Sequence, residues 1–275
     1  KKIAQKSGFD LQKLIYSGTY YSKDNIRNLI YEGLFENKPA ILKLYDDERM
    51  TDEPLALQRF HESNRSRILR APELYAYEVD SARRGWFIME KLPDGGVFMK
   101  QPMSSSARKE FLKVYLEYRE YFPREPQRPL TMVEKLPASY FHLHHISRWF
   151  ELASISEAES VRQGGEALLK EKTFLPLYKQ ARQKIAEYFS GRKSMVWCHG
   201  HFKPHEIYKI SGKNQYYLID FAHNAYYPEG YELAFMVWAD YLVSANPDVP
   251  YEKWRQGVMD WLDDLEPIAK DLQIK

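Results

Sequence analysis

The chain has 275 residues and is poor in cysteine, in charge imbalance and in long apolar runs. Each shortage excludes something. A single cysteine, Cys198, cannot close an intramolecular disulfide, which suits a reducing compartment. No apolar stretch approaches the roughly 20 residues needed to span a bilayer. Behind Lys1-Lys2-Ile3-Ala4-Gln5-Lys6 there is no apolar core of a secretory signal, so the expectation is a cytoplasmic protein with no membrane span. The formal net charge is only +2, and Lys and Arg alternate with Asp and Glu, as at Lys170-Glu171-Lys172. That distribution lacks the basic stripe of a nucleic-acid binder.

What remains is ordinary globular composition, 44% hydrophobic and 28% charged, in a chain long enough for one large domain or two smaller ones. Aromatic residues at helical spacing, such as Phe111, Tyr115, Tyr118 and Phe122, read as packing before they read as a cage for a cation. The first ninety residues carry short β-branched and aromatic runs: Leu14-Ile15-Tyr16, Asn28 to Gly33 and Pro39 to Tyr45, then Glu73 to Val79 and Gly85 to Glu90. Glu36-Asn37-Lys38 has hairpin-turn character, and Asp52 to Leu69 reads as one helix. At Lys91-Leu92-Pro93-Asp94-Gly95-Gly96 the chain punctuates and its character changes. Helices are expected at Ser104–Phe122, Ala138–Ala153, Gly165–Ser190, Glu229–Ser244 and Tyr251–Leu272, with short extended pieces around residues 194–197 and 215–219. The pattern predicts an α+β protein of two lobes, a β-rich 1–92 and a helical 93–275.

The informative segment is Cys198-His199-Gly200-His201-Phe202-Lys203-Pro204-His205-Glu206-Ile207, followed at short distance by Ile219-Asp220-Phe221. It resembles the aminoglycoside phosphotransferase and choline kinase group, in which His-Gly-Asp precedes an Asn and, after a hairpin, Ile-Asp-Phe. Protein kinases carry the analogous His-Arg-Asp and Asp-Phe-Gly. The resemblance implies a bilobal, protein kinase-like fold, an ATP-dependent phosphotransferase acting on a small hydroxylated substrate, and Mg²⁺ as the accompanying cation.

The same resemblance distributes roles. Lys43, closing the strand Ala40-Ile41-Leu42, would neutralise the nucleotide phosphates, with Glu62 as its ion-pair partner and Glu53 in reserve. Met89-Glu90-Lys91-Leu92 corresponds to the hinge that holds adenine, which places Glu90 and Leu92 at the nucleotide. Asp220 and Glu206 would hold Mg²⁺, since hard oxygen ligands suit that ion. Lys203 would contact the transferred phosphate, and Glu232 would brace the loop. Asp240, Asp263, Asp264 and Glu266 fall on late helices where the family binds its acceptor; they read equally as a surface that favours a cationic substrate and as ordinary solvated faces.

Two positions depart from the family. His201 stands where the family has the Asp that orients and deprotonates the acceptor; neutral imidazole can accept a proton near pH 7. Losing a general base costs about 10²- to 10⁴-fold in rate and leaves nucleotide binding intact. The segment therefore admits a His-based kinase, a nucleotide-binding pseudokinase, or a site turned to another transfer. The second departure is Tyr16-Ser17-Gly18-Thr19-Tyr20-Tyr21-Ser22, a phosphate-covering loop with one glycine. A rival class is a metal-dependent hydrolase using His199, His201 and His205, with His223, Asp220 and Cys198 nearby. A further histidine group, His142, His144 and His145, reads as a solvated helix face.

Overall fold

Alternating side chains build the first sheet. Along β3 (Lys38–Asp46) Ala40 and Leu42 are fully buried on one face, while Ile41, Lys43 and Tyr45 are buried on the other. A strand covered on both faces must be central, and β3 lies in the middle of an antiparallel sheet ordered β1-β2-β3-β6-β5. The other members are β1 (Phe9–Thr19), β2 (Ile26–Phe35), β5 (Leu74–Val79) and β6 (Arg84–Glu90). The computed structural model describes residues 2–19, 26–47, 50–81, 83–122, 147, 154, 158, 161–164, 171–190, 195–243 and 250–274. The turn joining β2 to β3 places Glu36 and Asn37 at positive φ, the two-residue hairpin geometry that the sequence suggests. One face of the sheet packs Ala40, Leu42, Trp86 and Ile88 against Phe9 and Ala4, the latter from a short helix, α1 (Lys2–Ser7), that the sequence pattern does not predict.

Helix α2 (Glu53–Ser63) is shorter than the expected Asp52–Leu69. Local side chains stop it. Asn64 leaves the helical region, its Oδ1 accepts from the Ser66 amide, and Ser66 Oγ accepts from the amides of Ile68 and Leu69. Such bonds offer the backbone an alternative to the helix. Leu69 then enters β4 (Leu69–Arg70), part of a second sheet ordered β4-β10-β9-β7 with β7 (Gly96–Phe98), β9 (Ile207–Ile210) and β10 (Tyr216–Leu218).

Helix α3 (Ser105–Tyr121) starts where the serine cluster predicts, with Ser104 Oγ accepting from the Ala107 amide. The expected helix Glu229–Ser244 is an α-helical turn pair, α5 (Tyr231–Val237), continued by a wider π-type segment, Trp238–Val243. The terminal helix α6 (Tyr251–Asp271) agrees with the sequence pattern.

The chain divides into two compact units. One comprises 1–135, 197–225 and 229–275, and the other 136–196 with 226–228. Both sheets of the first unit, β3 and the His199-Gly200-His201 segment belong to the same unit. The described part of the second unit includes helix α4 (Glu171–Ser190). The expected helix Ala138–Ala153, apart from residue 147, the histidines His142, His144 and His145, and Tyr20 and Tyr21 lie outside the described residues.

The acidic residues expected to attract a cation have other work. Asp240 is fully buried and accepts from the Met103 amide and from Trp261 Nε1. Asp264 pairs with Arg108 at 2.7 Å and Glu266 with Lys270 at 2.8 Å. Asp240→Ala leaves buried donors without partners, each worth about 1–3 kcal/mol. Urea unfolding should show a loss of at least about 2 kcal/mol for Asp240→Ala and less than about 0.5 kcal/mol for the exposed Asp263→Ala.

Candidate functional site

Lys43 is 4% exposed, and a buried ammonium requires compensation. It receives that from two carboxylates: Nζ lies 2.6 Å from Glu53 Oε2 and 3.3 Å from Asp220 Oδ1. Burial works against the charge, and Glu53 and Asp220 more than offset it, so Lys43 is raised above the ordinary lysine value. The partner is Glu53 and not Glu62. Nine residues further along α2 is about two and a half turns, which puts Glu62 on the opposite side of the helix. There it is exposed and accepts from Gln58 at 3.2 Å. Glu53, in the first turn of α2 and 2% exposed, faces the sheet.

Asp220 follows β10 in the left-handed region, φ 60° and ψ 62°, before a single 3-10 turn, Phe221–His223. An L-residue there is uncommon, and the strained conformation turns the carboxylate toward Lys43. Burial opposes its ionisation; the charge of Lys43, followed by His201, His199 and Lys203, holds it below the usual carboxylate range. Over a third of its side chain remains accessible. Phe221, one residue on, packs 5.5 Å from Phe60 of α2 and 4.8 Å from His199, tying helix and loop together.

The loop after Cys198 is held by its backbone. Gly200, at φ 81°, takes a turn that would strain any side chain. The His199 amide donates to Tyr118 Oη at 2.8 Å, Asn224 Nδ2 to the Cys198 carbonyl at 2.8 Å, and the Gly200 amide to Glu232 Oε1 at 3.3 Å. Arg119 balances Glu232 at 3.4 Å and also reaches the Trp197 carbonyl. Glu232 therefore braces the loop, as expected; Tyr118, Arg119 and Asn224 were not singled out by their sequence positions. Tyr118 carried only a packing signal, because helical spacing reveals a buried ring and not its hydroxyl.

His199 is fully buried, and Nε2 donates to the Ile219 carbonyl at 2.9 Å. Burial pushes its imidazole down to about 4. His201 is part-exposed, its ring stacked 3.9 Å from His223 and 4.7 Å from Phe235. Its Nδ1 lies 3.2 Å from Glu206 Oε1 and 3.4 Å from Lys203 Nζ. Lys203 Nζ is 3.0 Å from the same Glu206 oxygen. Glu206 sits in a 3-10 turn, Pro204–Glu206, and is 3% exposed; burial and then the Asp220 charge push its carboxyl well above the ordinary value. Its second oxygen, Oε2, has no hydrogen-bond partner.

His201, Glu206 and Asp220 each bring one ligand atom within 4.8 Å of the others. Two carboxylates at that separation fit a divalent cation. His205 is exposed, and among the described residues the clustered ligand atoms come from His201, Glu206 and Asp220, without His199 or His205. The three-histidine hydrolase site does not form: among the described residues, neither His199 nor His205 brings a ligand atom into the cluster of His201, Glu206 and Asp220. Glu90 and Leu92 stand at the end of β6 and just beyond it, where the Glu90 amide donates to the Glu73 carbonyl and the Lys91 amide to the Pro39 carbonyl.

No protein-family model matches the sequence, and no curated protein matches it. Solved structures do match. Spectinomycin phosphotransferase APH(9)-Ia, in complex with ADP and spectinomycin, superposes with a TM-score of 0.57 at 13% identity, over 96% of this chain and 78% of that one. A thermostable mutant of aminoglycoside phosphotransferase APH(4)-Ia, with ADP and hygromycin B, superposes with a TM-score of 0.51 at 12% identity, over 98% and 82%. The chain has the aminoglycoside phosphotransferase fold. It is α+β and kinase-like, with a sheet-forming N-terminal region and a helical C-terminal region. Among the described residues, no helix is long and apolar enough to cross a membrane.

The buried His199 makes this fold acid-sensitive. Its folded-state value is depressed to about 4, against about 6.5 in an unfolded chain. The stabilisation is complete above about pH 6.5 and is lost as pH falls toward 4, by at most about 1.4 kcal/mol per pH unit. His199→Gln keeps a donor for the Ile219 carbonyl and removes the titration. Its unfolding free energy should decline less steeply than that of the wild type between pH 6.5 and 4; equal slopes would exclude His199 as the cause.

Proposed function

We propose that the chain binds ATP with a divalent cation at Lys43, Glu206 and Asp220 and transfers the terminal phosphoryl group to a small hydroxylated molecule. The observation that carries this reading is the buried Lys43, kept charged by Glu53 and directed at a partly accessible Asp220. Phosphoryl transfer draws on positioning and charge neutralisation far more than on covalent help from the protein. Lys43 neutralises nucleotide phosphates, Glu206 and Asp220 supply oxygen ligands for Mg²⁺, and Lys203 is close enough to follow charge on the transferred group. Glu90 and Leu92 contribute the edge against which adenine rests. The ADP-bound neighbours of the same fold, which act on spectinomycin or bind hygromycin B, support a small-molecule acceptor.

A second reading, nucleotide binding without transfer, is favoured by one observation. Where the motif that the loop resembles carries the acceptor's carboxylate base, His201 has its ring stacked on His223 and tilted against Phe235, with its Nδ1 turned onto Glu206. The two readings share a nucleotide site and differ in turnover.

Thermal unfolding with millimolar Mg·ATP tests what they share. A ligand at 100 times its dissociation constant adds about 2.7 kcal/mol of stability, which in a chain of this size raises Tm by several degrees. Lys43→Met should abolish that rise even if its own baseline Tm falls. No rise in the wild type removes both readings. ADP release across a panel of hydroxylated acceptors then separates them: acceptor-dependent release supports the kinase, and stabilisation without release supports the pseudokinase.

A further inference from the structure

We propose that His201 is a metal ligand, so that the site prefers a divalent first-row transition ion such as Mn²⁺ over Mg²⁺ and binds it without nucleotide. The inference rests on the cation site proposed above and adds a third ligand to it. Three donors of different chemistry converge: one imidazole nitrogen and two carboxylates, with ligand atoms all within 4.8 Å. Mg²⁺ favours hard oxygen and gains little from imidazole, whereas first-row transition ions take mixed nitrogen and oxygen sets. Within the loop, His201 stands where the motif it resembles has Asp and Glu206 where that motif has Asn, and together with Asp220 they make a nitrogen–oxygen triad.

Two further observations point to a cation. Glu206 is 3% exposed, and its enclosed Oε2 has no hydrogen-bond partner, with the equally unpartnered His199 Nδ1 3.8 Å away, an arrangement that is costly unless something binds there. The chain also stations a cation of its own at the cluster, since Lys203 Nζ lies 3.0 Å from Glu206 Oε1 and 3.4 Å from His201 Nδ1. Lys203 is over a quarter exposed on a flexible stem, so an entering ion can displace it toward solvent. The ring is already oriented by His223 on one side and by Phe235, so ligation requires little reordering. A metal on Nδ1 leaves the proton on Nε2, and the same ring then does not serve as the acceptor base.

Electron spin-echo spectroscopy of Mn²⁺ added to the untagged, nucleotide-free protein tests this. A ¹⁴N coupling from directly bound imidazole is expected, with Mn²⁺ affinity at least about tenfold above that for Mg²⁺ in competition titrations. His201→Asp should keep a cation site, remove the ¹⁴N coupling and lower the Mn²⁺/Mg²⁺ affinity ratio about tenfold. Lys203→Ala should tighten Mn²⁺ binding several-fold, because it removes the competing charge; circular dichroism confirms that each variant is folded. Mn²⁺ bound without ¹⁴N coupling, a ratio unchanged in His201→Asp, or no Mn²⁺ binding with or without ADP would each overturn the proposal. Nitrogen-coupled Mn²⁺ in a protein that ignores ATP would instead sink the nucleotide reading and leave this one standing.

Discussion

The ammonium of Lys43 is the constraint on which the rest of the site depends. A buried cation must be paired, and pairing it fixes three pieces of chain at once: the middle of β3, the first turn of α2 and the left-handed residue Asp220. Breaking such a pair on one side typically costs about 3–5 kcal/mol, because the surviving charge stays buried. The same arrangement leaves one carboxylate partly accessible, so the pair is structural at Glu53 and available for a ligand at Asp220. A nucleotide phosphate is the third member that the proposed function assigns to this group.

Around that pair the loop is positioned by groups that do no chemistry. Tyr118, Arg119, Glu232 and Asn224 absorb the backbone donors and acceptors of 197–200, and Phe221 wedges between Phe60 and His199. The loop can therefore hold His201, Lys203 and Glu206 together at the surface of a packed core. Their proximity carries an electrostatic burden that an apolar cluster would not. A fold keeps such burdens mainly where binding repays them.

Much of this was legible in the amino-acid order. The apolar run Pro39 to Tyr45 predicts a strand around Lys43, the serines at 104–106 predict a helix start, and the resemblance carried by His199 to Asp220 implies the loop and the hairpin after it. The failures have physical reasons. Sequence distance favours Glu62 over Glu53 because it does not show which side of a helix meets the sheet. Periodicity overextends α2 because Asn64 and Ser66 stop it through side-chain bonds that periodicity does not record. Asp240 looked like a surface acid but is buried under Trp261 and Met103. Convergence of His201 with Glu206 and Asp220 follows from the turn at Gly200 and the left-handed Asp220, neither of which leaves a compositional trace.

The central claim is that Lys43 and Asp220 form a nucleotide phosphate site. A crystal structure with AMP-PNP and a divalent cation tests it most directly. The account predicts phosphate oxygens within hydrogen-bonding distance of Lys43 Nζ and a cation joined to Asp220 and Glu206. A fully occupied nucleotide bound elsewhere, with the Lys43–Asp220 contact undisturbed, would contradict it.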